Sequence, residues 1–375
     1  MRRLMTTALC VFSAACASAS DNEAFQERPE FDAFLKEFRI ENRVQSFSVA
    51  VAKDGDVIFS KGYGWQDHDA EEPTTRETSY LVASITKTFT AATLLAMEAD
   101  GHIDLQTDFT ELSDWDGRCA WLAGSGIIFG GGATLDDGTV VEPVPCETPI
   151  TLEQVLSHRV NGEPGSGFLY NPVVFGRLSN FVEEQTDRSW RDWMRSYVVE
   201  PAGLDATALG WRDPEGAGVL THLAPPFRHT DRERDPDGIA PSVLPNPELN
   251  ASSGVIASAE ELTRYGSALL EGRILDKALL RRMWTPPAPG APYALGWWVE
   301  EWKGERVVWH GGWWPDAYAG VLLIMPERGL VFAAQGNADG IHWGNPLNRA
   351  AATKSPLVRA FLHEFAASEA ASVEP

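Results

Sequence analysis

The sequence predicts an α+β protein: an antiparallel sheet, flanked by N- and C-terminal helices, with an inserted and mainly helical segment. Two observations lead to this prediction. Strand patterns joined by short turns occur near both ends of the 375-residue chain, and hairpin-linked strands are typical of antiparallel sheets. A long region of helical periodicity separates them. We expect one domain at 20–375, with a sheet subdomain at about 25–80 and 255–367 and a helical insert at about 81–254.

The N-terminus has the pattern of a secretory signal peptide. A positively charged start and an apolar run precede an Ala-x-Ala sequence at residues 17–19, where signal peptidases cleave. We expect residues 1–19 to be removed and the mature protein to be periplasmic or secreted. Lipid attachment at Cys16 ranks below plain cleavage, because Ser13 stands where lipoprotein signals usually carry leucine. Later apolar runs are too short for a transmembrane segment.

The charge balance argues against two classes of partner. The chain has 31 Lys and Arg against 53 Asp and Glu, a formal net charge of −22. Such an excess of negative charge disfavours nucleic acid and anionic membrane surfaces, and it says little about the fold.

Cleavage of the signal peptide would leave two cysteines, Cys119 and Cys146. An even pair in an exported chain predicts one disulfide, with two free thiols as the less favoured alternative. Both cysteines lie in a segment at about 113–148 that also contains three consecutive glycines. We interpret this segment as an inserted loop and not a phosphate-binding loop, because no Gly-Lys-Ser/Thr sequence follows the glycines.

The remaining elements follow from periodicity, capping residues and turn signals. The predicted helices lie at about 29–44, 84–99, 151–158, 173–186, 190–199, 257–272 and 355–367. The predicted strands lie at 47–52, 57–60, 293–301, 306–310, 318–325 and 330–335. Residues 212–248 are rich in Pro, Asp and Arg and predict a surface loop or lid.

A Ser-x-x-Lys pair stands at the start of the predicted 84–99 helix. Residues three apart share a helix face, so Ser84 Oγ and Lys87 Nζ can meet one turn apart. The helix N-terminus favours negative charge developing on the serine. A desolvated lysine would favour its neutral form and could take the serine proton. The pair is a candidate nucleophile and base, but the motif also arises by chance, as a capping serine beside a solvated lysine.

Two later segments fit the same cleft between sheet and insert. Tyr170 follows a glycine-rich loop inside the helical region. The sequence His310-Gly311-Gly312-Trp313 lies at a predicted strand edge. Glycines at such an edge let a substrate approach the backbone, where an N–H group can point at it.

Taken in order, these segments resemble the serine β-lactamase-like family of class C β-lactamases, penicillin-binding DD-peptidases, D-aminopeptidases and esterases. Ser84-x-x-Lys87 is similar to the nucleophile motif of the family, and Tyr170 is similar to the Tyr of its Tyr-x-Asn motif. The segment from His310 to Gly312 is similar to its Lys-Thr-Gly motif. The resemblance covers about residues 25–365 and implies a β-lactamase/transpeptidase-like fold that works without a metal or other cofactor.

The resemblance also implies roles for these residues. Ser84 would be acylated, and Lys87 would help to deprotonate it. Tyr170, its pKa lowered by the nearby ammonium, would pass a proton to the leaving group. The backbone N–H groups of Ser84 and Trp313 would form the oxyanion hole.

Two positions depart from the family pattern. Pro172 stands where Tyr-x-Asn has its asparagine, and the adjacent Asn171 is a candidate substrate-binding residue. His310 replaces the lysine of Lys-Thr-Gly and need not be charged at neutral pH. Together with Gly311 and Gly312, it would contact a substrate carboxylate or carbonyl, or support the tyrosine hydroxyl. Both changes shift the expectation away from β-lactams.

The favoured function is therefore an exported serine hydrolase acting through an acyl-enzyme on small-molecule esters or peptides, of carboxylesterase or D-amino-acid peptidase type. The alternatives are a β-lactamase or DD-carboxypeptidase, or a non-catalytic cell-wall-binding or sensor protein on the same fold. The α/β-hydrolase alternative lacks its Gly-x-Ser-x-Gly elbow. Trp313 or Trp314 beside the cleft would favour an apolar or aromatic acyl group.

Overall fold

The structure is a computed structural model that describes residues 27–67, 71–230, 238–245 and 248–367. The predicted signal peptide, including Cys16, lies outside the described residues. The strands are β1 (Ser46–Lys53), β2 (Asp56–Asp67), β3 (Glu72–Pro73), β4 (Ser79–Leu81), β5 (Ala208–Leu209), β6 (Phe227–His229), β7 (Ile239–Pro241), β8 (Val255–Ser258), β9 (Trp298–Trp302), β10 (Glu305–Trp314), β11 (Tyr318–Met325) and β12 (Leu330–Gly336).

The main sheet has seven strands in the order β3-β2-β1-β12-β11-β10-β9 within the described residues. Every neighbouring pair in it is antiparallel. Strands from the beginning and the end of the chain meet where β1 pairs with β12. The predicted α+β class, with one antiparallel sheet assembled from both ends of the chain, is confirmed.

The helices cover both faces of this sheet and fill the insert. They are α1 (Pro29–Glu41), α2 (Thr86–Ala99), α3 (Trp115–Gly124), α4 (Leu152–Leu156), α5 (Pro172–Gly176), α6 (Leu178–Thr186), α7 (Trp190–Met194), α8 (Glu200–Ala202), α9 (Ala217–Leu220), α10 (Ala259–Leu270), α11 (Lys277–Met283) and α12 (Pro356–Phe361).

The alternation of side chains along the central strands places two separate cores on the sheet. Leu322 and Ile324 of β11 face the core that contains α2 and α10, whereas Val321 and Leu323 face the core that contains α1 and α12. Successive residues of a strand point to opposite faces, so an almost continuous apolar sequence serves both sides. The sheet is therefore the middle of three layers.

Several elements differ from their predicted bounds. The segment at 113–148, interpreted as a loop, contains α3, and the strand predicted at 306–310 extends to Trp314. The strand expected from residue 293 begins at Trp298, because residue 293 makes only an isolated bridge to the strand. The helix expected at 173–186 is divided at Arg177, where α5 ends and α6 begins. The described part of 212–248, predicted as loop, contains α9 and the β6–β7 hairpin.

A small second sheet places the start of α2 at the edge of the main sheet. It has the order β4-β8-β5. The chain leaves β4, makes a short 3₁₀ turn at Ala83–Ile85 and enters α2. The Val82 N–H donates to the Val255 carbonyl at 3.0 Å, which ties the turn to β8. The predicted nucleophile motif therefore lies where the helical insert begins.

The predicted disulfide joins Cys119 of α3 to Cys146, with 5.6 Å between their Cα atoms. The indole of Trp115 donates to the Cys146 carbonyl at 3.0 Å and packs into the same buried region. Across the described residues, we find no helix with both the length and the apolar character needed to cross a bilayer.

Removing this disulfide should lower stability. The Cys119→Ser/Cys146→Ser double variant frees a loop with a sequence separation of 27 residues, and loop-closure entropy predicts a loss of about 3 to 4 kcal/mol in the free energy of unfolding. Urea denaturation of both proteins under oxidising conditions measures this difference. Equal midpoints would contradict the expectation.

Candidate active site

Ser84 lies in a strained turn between the small sheet and α2. The preceding residue, Ala83, has a φ of 47°, which is unusual for a residue with a side chain. Its neighbours in the turn are buried, while Ser84 itself is partly exposed. Strained backbone of this kind persists only where the surroundings fix it, and it occurs frequently at functional sites. The turn presents the serine hydroxyl to the cleft.

Lys87 follows Ser84 by one turn, and its side chain is fully buried. Its Nζ donates to Ser84 Oγ at 3.1 Å and to the Ser252 carbonyl at 3.1 Å. It also lies 5.0 Å from the centre of the Tyr170 ring and 5.4 Å from that of Phe175. Burial without a carboxylate partner holds the pKa of Lys87 well below its usual range. The amine can therefore be neutral and accept the serine proton.

The segment before β8 also helps to position Lys87. Besides the Ser252 carbonyl on Lys87, the Ala251 carbonyl accepts from Thr90 Oγ1 at 2.7 Å. The Val255 N–H donates to Thr86 Oγ1 at 3.2 Å. These bonds hold the first turns of α2 against β8 and so fix the position of the buried amine.

Tyr170 reaches the same serine from the other side. Its side chain lines the same cavity as Ser84, and its backbone N–H donates to the Leu347 carbonyl at 2.8 Å. Burial raises the pKa of the phenol, and its interaction with the Ser84 side chain opposes this only in part. The expected lowering of this pKa is thus wrong, because desolvation of the phenol dominates. Tyr170 is a neutral phenol that can donate a proton.

Strand β10 brings the predicted oxyanion-hole residue to the serine. β9 pairs only with residues 305–309 of β10, so the continuation of β10 extends beyond its partner alongside the Ser84 turn. A Cβ on Gly312 would lie 2.2 Å from the Val82 carbonyl oxygen. Only glycine permits this approach, which places the backbone of Trp313 beside the turn. The Trp313 indole donates to Asp339 at 2.9 Å and stacks on His342.

His310 makes its polar contacts inside the protein. Its ring is buried, with Nε2 2.9 Å from the Tyr293 hydroxyl and Nδ1 2.8 Å from the Gly311 carbonyl. A proton on Nδ1 makes Nε2 the acceptor of the tyrosine hydrogen. Burial lowers the pKa of His310 to about 3. The hydroxyl that this neutral imidazole contacts belongs to Tyr293, a residue the sequence analysis overlooked, and not to Tyr170.

Asn171 does not reach the cavity, so the arrangement does not support its predicted role in substrate binding. Its side chain is fully buried. Its Oδ1 accepts from the Val174 N–H at 3.2 Å, and its Nδ2 donates to Asn161 Oδ1 at 2.9 Å. The physical reason is local: Pro172 begins α5, which makes Asn171 the N-cap.

The residues in front of Ser84 enclose a cavity of about 420 Å³. Half of its described lining residues carry an aromatic or imidazole ring, and none of them carries a carboxylate, ammonium or guanidinium side chain. The lining residues are Ser84, Phe129, Tyr170, Pro172, Trp298, Trp309, His310, Gly311, Trp313, Pro315, Gly320, His342, Trp343, Asn345, Pro346 and Leu347. Phe129 comes from the disulfide-bearing segment. In the described parts of the chain we find no group of three or more His, Cys, Asp or Glu side chains placed to hold a metal ion.

The two glycines of β10 should respond differently to alanine. Gly312→Ala places a methyl group against the Val82 carbonyl and should cost about 1 to 3 kcal/mol. Gly311→Ala is the matched control, because the nearest atom to its Cβ would be 3.7 Å away, and we expect a change of about 0.5 kcal/mol or less. Chemical denaturation of both variants tests this, and equal destabilisation would refute it.

The buried histidine should make stability depend on pH. The pKa of His310 is about 3 in the folded protein, against 6.5 for an ordinary histidine. The unfolded chain then binds the extra proton, so this site should remove about 2 kcal/mol from the free energy of unfolding between pH 7 and pH 5. His310→Gln removes the titrating group, so the variant should lose about 2 kcal/mol less of its free energy of unfolding between pH 7 and pH 5 than the wild type loses. An equal loss in both proteins would show that His310 does not resist protonation.

Comparison with known proteins places this geometry in a family. The sequence profile of the Beta-lactamase family matches residues 31–354. The unguisins hydrolase ungD' of Aspergillus campestris is 24% identical over 341 residues, which cover 78% of this chain and 58% of that protein. The chain spans about three-fifths of the length of the curated relatives it matches.

Solved structures share the fold at low sequence identity. A D-amino acid amidase from Ochrobactrum anthropi SV3 superposes with a TM-score of 0.65 at 17% identity, covering 90% of this chain and 99% of the amidase. EstCE1, described as a hydrolase with promiscuous acyltransferase activity, gives a TM-score of 0.62 at 16% identity, covering 84% and 94%. Since the family profile extends from α1 past the last strand of the sheet, this protein belongs to the Beta-lactamase family.

Proposed function

We propose that this protein is an exported serine hydrolase that cleaves uncharged esters through an acyl-enzyme on Ser84. One observation carries the proposal: Ser84 Oγ accepts a hydrogen bond from a desolvated Lys87, and it shares the wall of an aromatic cavity with a neutral Tyr170. A nucleophile, a base and a proton donor thus converge on one oxygen. The signal-peptide pattern of the N-terminus supports export.

Acylation begins when Lys87 Nζ takes the proton of Ser84 and Oγ attacks the ester carbonyl carbon. The carbonyl oxygen becomes negatively charged and is stabilised by the backbone N–H groups of Ser84 and Trp313. Collapse of this intermediate breaks the bond to the leaving alcohol, which needs a proton. Tyr170 supplies that proton from its neutral hydroxyl and is reprotonated by the Lys87 ammonium, so the site regains its starting charge.

Deacylation runs through the same groups in reverse. The neutral Lys87 amine removes a proton from water, and the hydroxide attacks the acyl carbon. The proton returns to Ser84 as the carboxylic acid leaves. Neither half needs a charged group on the substrate, since the serine, the lysine and the tyrosine supply every proton transfer.

The walls of the cavity favour a neutral acyl group. A substrate carboxylate would lose its hydration there without gaining a cationic partner among the described lining residues, and burying an unpaired charge is costly. The indole and phenyl rings of Phe129, Trp298 and Trp343 offer apolar area and aromatic contacts instead. We therefore expect the acyl group of the ester to be aromatic or bulky and apolar.

The position of Asn171 favours esters over amides. The amide-binding asparagine of related motifs is replaced by Pro172, and the adjacent Asn171 is used as a helix cap and a partner of Asn161. An amide substrate would lose that contact, whereas an ester has no N–H group to satisfy. Ester hydrolysis is therefore favoured, because it does not need the amide-binding group that the site lacks.

Intact-mass spectrometry combined with turnover assays tests the proposal. The mature protein and its Ser84→Ala variant are incubated separately with p-nitrophenyl phenylacetate, a cephalosporin and a D-alanyl peptide. We expect a transient adduct and turnover with the ester, little turnover of the two carboxylate-bearing compounds, and a loss of at least about 1,000-fold in Ser84→Ala.

Two other outcomes would contradict the ester proposal. Rapid turnover of the cephalosporin or the peptide would replace the ester proposal with the lactamase or carboxypeptidase alternative. A folded protein that forms no adduct with any of the three compounds, nor with a fluorophosphonate, would favour a binding or sensor protein.

A further inference from the structure

A buried histidine outside the proposed catalytic set packs directly against Tyr170. His158 follows the end of α4 and has almost no exposed surface. The centre of its ring lies 4.4 Å from that of Tyr170, 4.9 Å from that of Tyr293 and 5.0 Å from that of Phe175. The mechanism derived above gives this imidazole no proton to move.

His158 holds the backbone on both sides of Tyr170. The Leu169 N–H donates to the His158 carbonyl at 3.1 Å. The Asn171 N–H donates to His158 Nδ1 at 3.0 Å. One residue thus binds the backbone N–H groups of the residues before and after the tyrosine, while its ring packs against the tyrosine ring.

The polar chemistry of the ring argues against a packing role alone. Because Nδ1 accepts a hydrogen bond, the neutral imidazole carries its proton on Nε2, and among the described residues no atom accepts from it. A buried, unpaired donor is destabilising. The backbone of His158 also has a φ of 52°, a conformation that few non-glycine residues adopt. An apolar side chain would fill the space without the unpaired donor but could not accept from Asn171.

We propose that His158 is a positioning residue that sets the Tyr170 hydroxyl in place to protonate the leaving group. It acts through its Nδ1 acceptor and the contact of the two rings, without touching the substrate. The inference rests on the proposed role of Tyr170 as a proton donor and assigns the placement of that donor to a second residue.

Three substitutions of His158 test its Nδ1 acceptor separately from the volume of its ring. In His158→Asn, the amide oxygen lies near the position of Nδ1, and asparagine tolerates the left-handed backbone. In His158→Gln, the amide reaches the position of Nε2 and leaves Asn171 without its partner. His158→Leu keeps apolar volume only. Tyr170→Phe is the reference for complete loss of the proton donor, and thermal unfolding reports whether each variant folds.

The first readout is the dependence on the leaving group. Ethyl and p-nitrophenyl phenylacetate give the same acyl-enzyme, but only the ethoxide needs a proton to leave. We expect kcat/KM for the ethyl ester to fall about 100-fold in His158→Gln and His158→Leu, close to Tyr170→Phe. For the p-nitrophenyl ester the fall should be about 5-fold or less, and His158→Asn should stay within about 3-fold of the wild type on both esters.

The second readout does not depend on turnover. Hydrogen exchange of the Asn171 amide should be slow in the wild type and in His158→Asn, and at least about 10-fold faster in His158→Gln. If the wild type cleaves neither ester, the proposed function fails, and exchange still decides whether His158 orders this segment.

Two results would overturn the inference. Equal losses on both esters, with His158→Asn as poor as His158→Leu, would show that the ring contributes packing only. Unchanged protection of Asn171 in a folded His158→Gln variant would show that the Nδ1 contact does not hold the tyrosine segment.

Discussion

The desolvation of Lys87 is the constraint on which the site depends. An ammonium in this position has a backbone carbonyl and a serine hydroxyl as partners, which do not repay the hydration it loses. Its neutral form is favoured for the same reason, and a neutral amine is a base. The surroundings must keep water away from the amine while leaving Ser84 accessible. The strained turn at Ala83 does this, because it turns the serine outward where its neighbours are buried.

Two close contacts between backbone segments complete the site around Ser84 and Lys87. The segment before β8 lies against the first turns of α2, and β10 lies against the Val82 carbonyl because Gly312 has no side chain. The sheet and the helical insert thus contribute separate halves of one site. The same packing makes the cavity uncharged. Aromatic side chains surround the serine, and burial keeps the nearest titratable groups neutral.

Local patterns in the sequence predicted the parts of the site that depend on short-range geometry. The contact of Ser84 with Lys87 follows from helical spacing, and the strands of the sheet follow from turns and alternation. The capping role of Asn171 is also readable, since Asn followed by Pro is a helix-start signal, although the resemblance to the Tyr-x-Asn motif implies a different role.

Other features depend on packing between distant segments and could not be predicted. The contact of Tyr293 with His310 requires the detailed fit of β10 against the residues before β9. The direction of the Tyr170 pKa depends on how much burial outweighs a nearby amine, and spacing along the chain gives no measure of burial. The Nδ1 contact of His158 depends on the return of the chain after a turn of about a dozen residues.

The pairing of β1 with β12 has a consequence for how the chain acquires its structure. These two strands occupy the centre of the sheet and are separated by most of the sequence, with Phe47 opposite Gly336. During synthesis the β1 edge of the N-terminal hairpin therefore stays unpaired until nearly the whole polypeptide has been made. Such long-range closure slows folding, and an unpaired strand edge invites association with other chains. A fragment that stops before Leu330 would keep Ser84 and Lys87 but lack the strand that closes the sheet.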